Sequence, residues 1–268
     1  MIPKSHPRYA SLKTRDLIVK GVNKGIASMH GLIAHGRGEA FDYLLGEKTN
    51  EFAEKSIGAA AALLLLAKKP VISVNGNTAA LAPKELAGLS NLIQAPLEVN
   101  IFHSSKKREL KIKKHLERAG AKNVLLPNKN YKIRFLESNR KYVNPNGILK
   151  ADAVFVPLED GDRAEALIKN GKKVITIDLN PLSRTAQKST ITIVDNIVRV
   201  MPLLIITVKK FKKYKRERLL KILRGYDNKM MLKGVMRKSK GRQGRLARRK
   251  TRPHAISNSR QAGAAEFY

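Results

Sequence analysis

The residues best able to do chemistry stand at the ends of β-branched runs. Val174-Ile175-Thr176-Ile177 leads into Asp178-Leu179-Asn180-Pro181, with Ser183, Arg184 and Thr185 close behind. Ile191-Thr192-Ile193-Val194 leads into Asp195-Asn196-Ile197. Short apolar runs bounded by Pro, Asn and Asp read as buried strands. In open α/β sheets, ligands sit in the crevice beyond the carboxyl ends of the strands. Carboxylate, amide, hydroxyl and guanidinium groups at two such ends suit a polar anion such as a nucleotide. The same residues also read blandly, Asn180-Pro181 as a turn and Asn196 as a helix cap.

Three further groups share this ambiguity. Gly36 and Gly38 bracket Arg37 and are expected to open a helix. An Arg fork between glycines near the first helical NH groups would hold a phosphate, though a structural turn also fits. The pattern is not a P-loop. The run Val71-Ile72-Ser73-Val74 ends at Asn75-Gly76-Asn77-Thr78, a strand–glycine turn–helix step that presents NH groups to a ligand. A single glycine falls short of the dinucleotide fingerprint, which argues against a nicotinamide site. Glu159, Asp160 and Asp162 follow the run Ala153 to Val156. They suit Mg²⁺ beside phosphates or a proton acceptor, and equally a helix cap. Arg15, on the expected first helix, reads alone as a solvated side chain.

The elements that must carry these groups alternate. Helices are predicted over Tyr9–Ala27, Thr49–Lys69, after Asn75–Thr78 through Gln94 with Pro83-Lys84-Glu85 near the start, and over Ser104–Ala119; strands over Val71–Val74, Leu97–Phe102, Val124–Leu126 and Ala153–Val156. Asn128–Asn146 is polar and basic without periodicity, so a flexible insertion with solvated Lys and Arg is expected there. A helix containing Met201–Val208 follows the last strand, then a basic helix from Lys209, then disorder from Arg237. This alternation predicts an α/β fold with a doubly wound, mostly parallel sheet flanked by helices.

At 268 residues and 43% hydrophobic, the chain can bury a real core. It has no cysteine, which excludes disulfides, thiolate metal sites and a cysteine nucleophile, and fits a reducing interior. The opening MIPKSHPRY lacks the apolar core of a signal peptide. The longest apolar run, Ile57 to Ala67, is too short to insert in a membrane. Net charge is +33, of which the last 60 residues carry +18. The expected division is therefore a body over residues 1–228 and a basic, flexible tail over 229–268. Such charge is an electrostatic footprint for nucleic acid.

With these residues assigned, the chain resembles the archaeal phosphopantothenate synthetase (4-phosphopantoate–β-alanine ligase) family. The resemblance lies in MIPKSHPRY (Met1–Tyr9), GLIAHGRGEAFDYLLGE (Gly31–Glu47), VNGN (Val74–Asn77), VPLEDGDRAEAL (Val156–Leu167), ITIDLNPLSR (Ile175–Arg184) and ITIVDNIVR (Ile191–Arg199). It implies a cytoplasmic, homodimeric, Rossmann-like ligase of archaeal coenzyme A biosynthesis. Such an enzyme joins 4-phosphopantoate to β-alanine with ATP and Mg²⁺, through an acyl-adenylate, and releases AMP and diphosphate. It further implies ATP binding by Arg15, Arg37, Asp178, Leu179, Asn180, Arg184, Thr185, Asn196 and Ile197. His35, Asn75, Asn77, Asp160 and Asp162 are candidates for substrate, metal or proton handling, with Asp160 the candidate metal ligand. A neutral loop histidine bonded to backbone fits His35 as well as a catalytic one. Beyond Asn228 the sequence is expected to depart from the family. The competing reading is a nucleic-acid-binding protein that uses its basic tail.

Overall fold

The structure is a computed structural model that describes residues 2–6 and 8–250, with side chains described through residue 239. Six parallel strands form the central sheet: β1 (Pro70–Val74), β2 (Leu97–Val99), β3 (Val124–Leu125), β6 (Ala153–Phe155), β7 (Lys173–Ile177) and β8 (Ile191–Ile193). Two more, β4 (Asn128–Lys132) and β5 (Tyr142–Val143), pair antiparallel as a separate hairpin. The sheet order is β3-β2-β1-β6-β7-β8. With the hairpin set aside this is the dinucleotide-fold order, whose direction of winding reverses between β1 and β6.

Strand alternation fixes the two faces. Val71, Val154 and Val174 are in register on one face, and Ile72, Phe155 and Ile175 on the other. Both sets are buried, as a sheet covered on both sides requires. Helices α1 (Tyr9–Asn23), α3 (Glu51–Leu66), α4 (Gly76–Leu81), α5 (Pro83–Ile93), α6 (Lys106–Arg118), α9 (Ile197–Phe211) and α10 (Arg216–Arg224) build the larger core on the Ile72 face. In α3, Ala59 to Ala62 are fully buried, and these small side chains let α9 and α10 pack closely. The Val71 face is covered by α7 (Gly161–Lys169) and by Ile133, Leu136, Val143 and Ile148.

That second cover corrects the expected flexible insertion. Residues 128–146 are held on the sheet from below by Glu98 of β2, whose carboxylate accepts from Asn144 N (2.9 Å) and Ile148 N (2.7 Å). Apolar residues spaced too irregularly to show a period nonetheless fill the face that β2 leaves open.

Two further expectations change. Helix α2 (Met29–Leu45) runs unbroken through Gly36, Arg37 and Gly38, so there is no glycine loop around Arg37; the turn comes at Gly46 (φ 98°). The helix expected after Asn75–Thr78, with Pro83 near its start, is preceded by a separate short helix, α4, which starts within that turn and breaks at Ala82 before Pro83. At the other end, regular structure does not stop at Arg237. Helix α11 (Asn228–Lys250) begins at the expected tail boundary, and its Leu232 and Val235 are buried against Leu45, Ala186 and Val194. Residues 251–268 lie outside the described residues. No described helix is long and apolar enough to cross a membrane.

Candidate active site

Where the winding reverses, neighbouring strand ends diverge and leave a crevice. Asn75 closes its floor. Its Oδ1 accepts from Thr78 N (3.0 Å) while Thr78 Oγ1 accepts from Asn75 N (3.0 Å), a capping box that starts α4. Its Nδ2 donates to Leu158 O (2.8 Å), tying the end of β1 to the loop after β6. Asn77 Nδ2 donates to Gly31 O (3.0 Å), which brings the first turn of α2 to the same place. Gly76 permits this approach, since a Cβ there would lie 2.5 Å from Ile26 O. A cavity of about 380 Å³ remains, bordered by Asn75, Asn77, Asp160 and Asp162, and by His30, His103, Arg108 and Arg140.

The acidic loop after β6 is not an open carboxylate cluster. Glu159 is nearly fully buried between two arginines. Its Oε2 accepts from Arg140 Nη2 (2.7 Å) and Arg163 Nη1 (2.6 Å), and its Oε1 meets Arg140 Nη1. Arg140 Nη1 also donates to Asp160 Oδ2 (2.7 Å), and its Nε to Asn100 Oδ1 (3.1 Å). Arg163, fully buried, reaches Ser73 Oγ (3.0 Å) and leaves Nε and Nη2 without partners. Beneath it, burial pushes the Glu98 carboxyl up to about 7, against two backbone NH bonds and the charge of Arg163. Among the described residues no three His, Asp or Glu side chains are grouped to hold a metal ion. Asp160 therefore offers a single half-exposed carboxylate shared with Arg140, with Asp162 beside it on the cavity wall.

Helix α2 crosses the carboxyl edge of the sheet and gathers the rest of the expected residues. Gly38 faces Leu179, and Asp42 accepts from Asn196 Nδ2 (3.1 Å) and Arg199 Nη2 (2.6 Å). Arg199 Nε in turn reaches Asp195 Oδ1 (2.8 Å), whose other oxygen accepts from Thr49 (2.6 Å). Asn196 caps α9 through Val198 N (3.2 Å), so its bland role holds. Asp178 organises its own loop: Oδ1 accepts from Asn180 N (2.9 Å) and Oδ2 from Ser183 Oγ. Burial raises its pKa, opposed by those bonds and by the charge of nearby Arg37. Thr185 Oγ1 donates to Glu159 O (2.8 Å), and Arg184 is bound to Glu165 on α7 (2.8 Å). Ile197 is buried in the core.

Arg15 and His35 converge on Glu39. Arg15 Nε donates to its Oε2 (2.7 Å), and His35 Nε2 lies 3.7 Å from Oε1. His35 is on α2 rather than in a loop, and its Nε2 is buried without a hydrogen bond. Burial lowers its pKa more than Glu39 raises it, which favours the neutral ring near pH 7. It does not line the cavity. Sequence reasoning missed His30, His103, Arg108 and Arg140 there. The two histidine rings lie tilted against each other with centroids 4.7 Å apart, and Arg108 donates to Ile26 O (3.0 Å) and His103 O (3.2 Å).

Residues 52–242 match the family model described as phosphopantothenate/pantothenate synthetase. The chain belongs to the phosphopantothenate/pantothenate synthetase family. Its relatives include proteins named 4-phosphopantoate–β-alanine ligase from Thermococcus kodakarensis and Methanosarcina mazei. The first is 52% identical over 247 residues, 92% of this chain and 95% of that protein. The second is 49% identical over 231 residues, 86% of this chain and 91% of that protein. The synthetase match runs well past Asn228, so the expected departure of the C-terminus from the family is not found at that boundary. The first two turns of α11 belong to the synthetase body, because Leu232 and Val235 complete its core.

Proposed function

We propose that this protein is an ATP-dependent ligase that condenses 4-phosphopantoate with β-alanine to 4′-phosphopantothenate, releasing AMP and diphosphate. The observation that carries this reading is the 52% identity to the Thermococcus ligase across nearly the whole of both chains. The site chemistry agrees with it. Both ATP and 4-phosphopantoate are anions, and the carboxylate must approach the α-phosphorus against that charge. Fixed cations and oriented NH groups offset such repulsion best where water is excluded. A crevice at the reversal of winding, edged by Arg108 and Arg140, meets this need.

In this reading the pantoate carboxylate displaces diphosphate from ATP, and the β-alanine amine then displaces AMP from the acyl-adenylate. ATP lies along α2, with Arg15 and Arg37 toward its phosphates and the Asp178–Asn180 loop, Arg184–Thr185 and Asn196–Ile197 toward its ribose and base. Because Asp178, Thr185 and Asn196 are already committed to neighbours, we assign them the shaping of that pocket, and Asn180 a direct contact. 4-Phosphopantoate takes the cavity beside Asn75 and Asn77. Mg²⁺ bound with nucleotide phosphates commonly uses only one or two protein carboxylates. Asp160 and Asp162, side by side on the wall, fit that mode, whereas Glu159 is held by its arginines. The ion would neutralise phosphate charge there. We further propose a homodimer acting in the cytoplasm. The nucleic-acid alternative has no support among the relatives.

The test is formation of AMP and diphosphate from ATP and Mg²⁺ with each substrate omitted in turn. The reading requires both 4-phosphopantoate and β-alanine for net ligation, with Arg37→Ala raising KM for ATP about tenfold, the scale of one charge-assisted hydrogen bond. Turnover without either substrate, or none from folded protein, would refute it.

A further inference from the structure

A second cleft, of about 770 Å³, opens beside the first between the N-terminal half of α6 and the turn from β3 to β4. Its wall carries one carboxylate, Glu109, and three ammonium groups, Lys106, Lys113 and Lys129. Glu109 is 6% exposed, and Ser104 Oγ donates to its Oε1. No described protein group is hydrogen-bonded to Oε2. Lys113 is engaged with Val124 O (2.8 Å), while Lys106 and Lys129 have no carboxylate partner among the described residues. A cavity of about 570 Å³ lies between them, sharing Phe102 and His103 with the first and Ser104 and Asn139 with the second. Ser138 borders this cavity, and its Oγ is buried without a partner.

Glu109 is a buried carboxylate facing an open cleft, with no Arg or Lys within ion-pair distance among the described residues. A purely anionic ligand would be repelled by Glu109, and a purely cationic one by the lysines. A short zwitterion satisfies both, because its ammonium and carboxylate are separated by a few ångströms. Resting on the ligase reading above, we propose that this cleft is the amino-acid subsite. Glu109 receives the β-alanine ammonium, Lys106 and Lys129 receive its carboxylate, and the passage past His103 and Ser138 directs the nitrogen toward the acyl carbon. The α6 N-cap, Ser105, holds the wall in place through Arg108 N (3.3 Å).

Initial rates with each substrate varied in turn test the assignment, together with exchange of labelled diphosphate into ATP, which needs 4-phosphopantoate but no β-alanine. Glu109→Gln is expected to raise KM for β-alanine at least about tenfold, the loss of a charge-assisted bond, and to leave the exchange rate and the other two KM values unchanged. Lys129→Gln, on the exposed hairpin, cannot disturb the core and is expected to raise the same KM several-fold. It should not alter inhibition by propylamine, which lacks the carboxylate. A β-alanine KM unmoved in Lys129→Gln, or exchange falling in step with ligation in Glu109→Gln, overturns the subsite while the wild type still turns over. A wild type that performs neither reaction overturns the ligase reading, and the subsite falls with it.

Discussion

Glu159 is one carboxylate between two buried guanidinium groups, and its removal should be felt before any substrate is added. Breaking a buried pair leaves an uncompensated charge and costs about 3–5 kcal/mol. Glu159→Ala exposes Arg140 and fully buried Arg163 to one another at the same time. We expect a loss in that range by urea unfolding, with Asp160 left, among the described residues, as the only carboxylate bound to Arg140. A loss below about 1 kcal/mol would mean that water already screens the pair. None of this could be read from the sequence. Arg140 stands in a run of Lys and Arg that composition assigns to solvent, and only the fold turns it inward to the loop after β6. The structural roles of Asn75, Asp178 and Asn196 were legible because each stands at a strand end, where it must shape a turn or cap a helix. Polar residues at such ends read equally as binding groups, so sequence could not separate the two roles.

At the level of elements, Glu98 makes the packing of the hairpin on the sheet pH-dependent. Its folded pKa of about 7 lies above the ordinary 4.5, so the native state holds the proton more tightly than the unfolded chain does. Its contribution is complete below about pH 4.5 and is lost as pH rises through 7. The shift corresponds to about 3 kcal/mol. Unfolding free energy should therefore fall between pH 5 and 8, and the slope should flatten in Glu98→Gln, even though its amide opposes one of the two NH donors. An unchanged slope in that variant would remove Glu98 as the cause. The last helix gives a second expectation. Leu232→Ala should cost about 2–5 kcal/mol, as for other buried leucines, because Leu232 and Val235 in the first turns of α11 are core residues. The β-branched strands were legible because both sheet faces are covered, which forces near-continuous apolar runs. The insertion, α2 and α11 were not. The insertion has no period, α2 contains Gly36 and Gly38 yet is held by Asp42 and by packing on Leu179, and α11 hides two core residues among cations.

Across the whole molecule, charge sets two opposite responses to salt. No described Lys or Arg between residues 209 and 239 lies within ion-pair distance of a carboxylate, and the last 60 residues carry +18 of the net +33. Like charges at this density repel and lower the stability of the compact state. Screening over about 10 Å at 0.1 M salt should relieve that repulsion, while buried pairs such as Glu159–Arg163 are little affected. Raising NaCl from 10 mM to 500 mM should therefore raise the melting temperature, by about 2–4 °C for each 1 kcal/mol recovered in a chain of this size. The same field draws anionic substrates toward the crevice, so kcat/KM for 4-phosphopantoate should fall over that range while kcat holds steady. Reversing Lys209, Lys213 and Arg216 to Glu, exposed at the end of α9, in the following turn and at the start of α10, should weaken both responses together. If the variant loses the thermal response but keeps the kinetic one, the substrate is steered by local cations such as Arg37 and Arg108, and the charge of the C-terminal helices acts on stability alone.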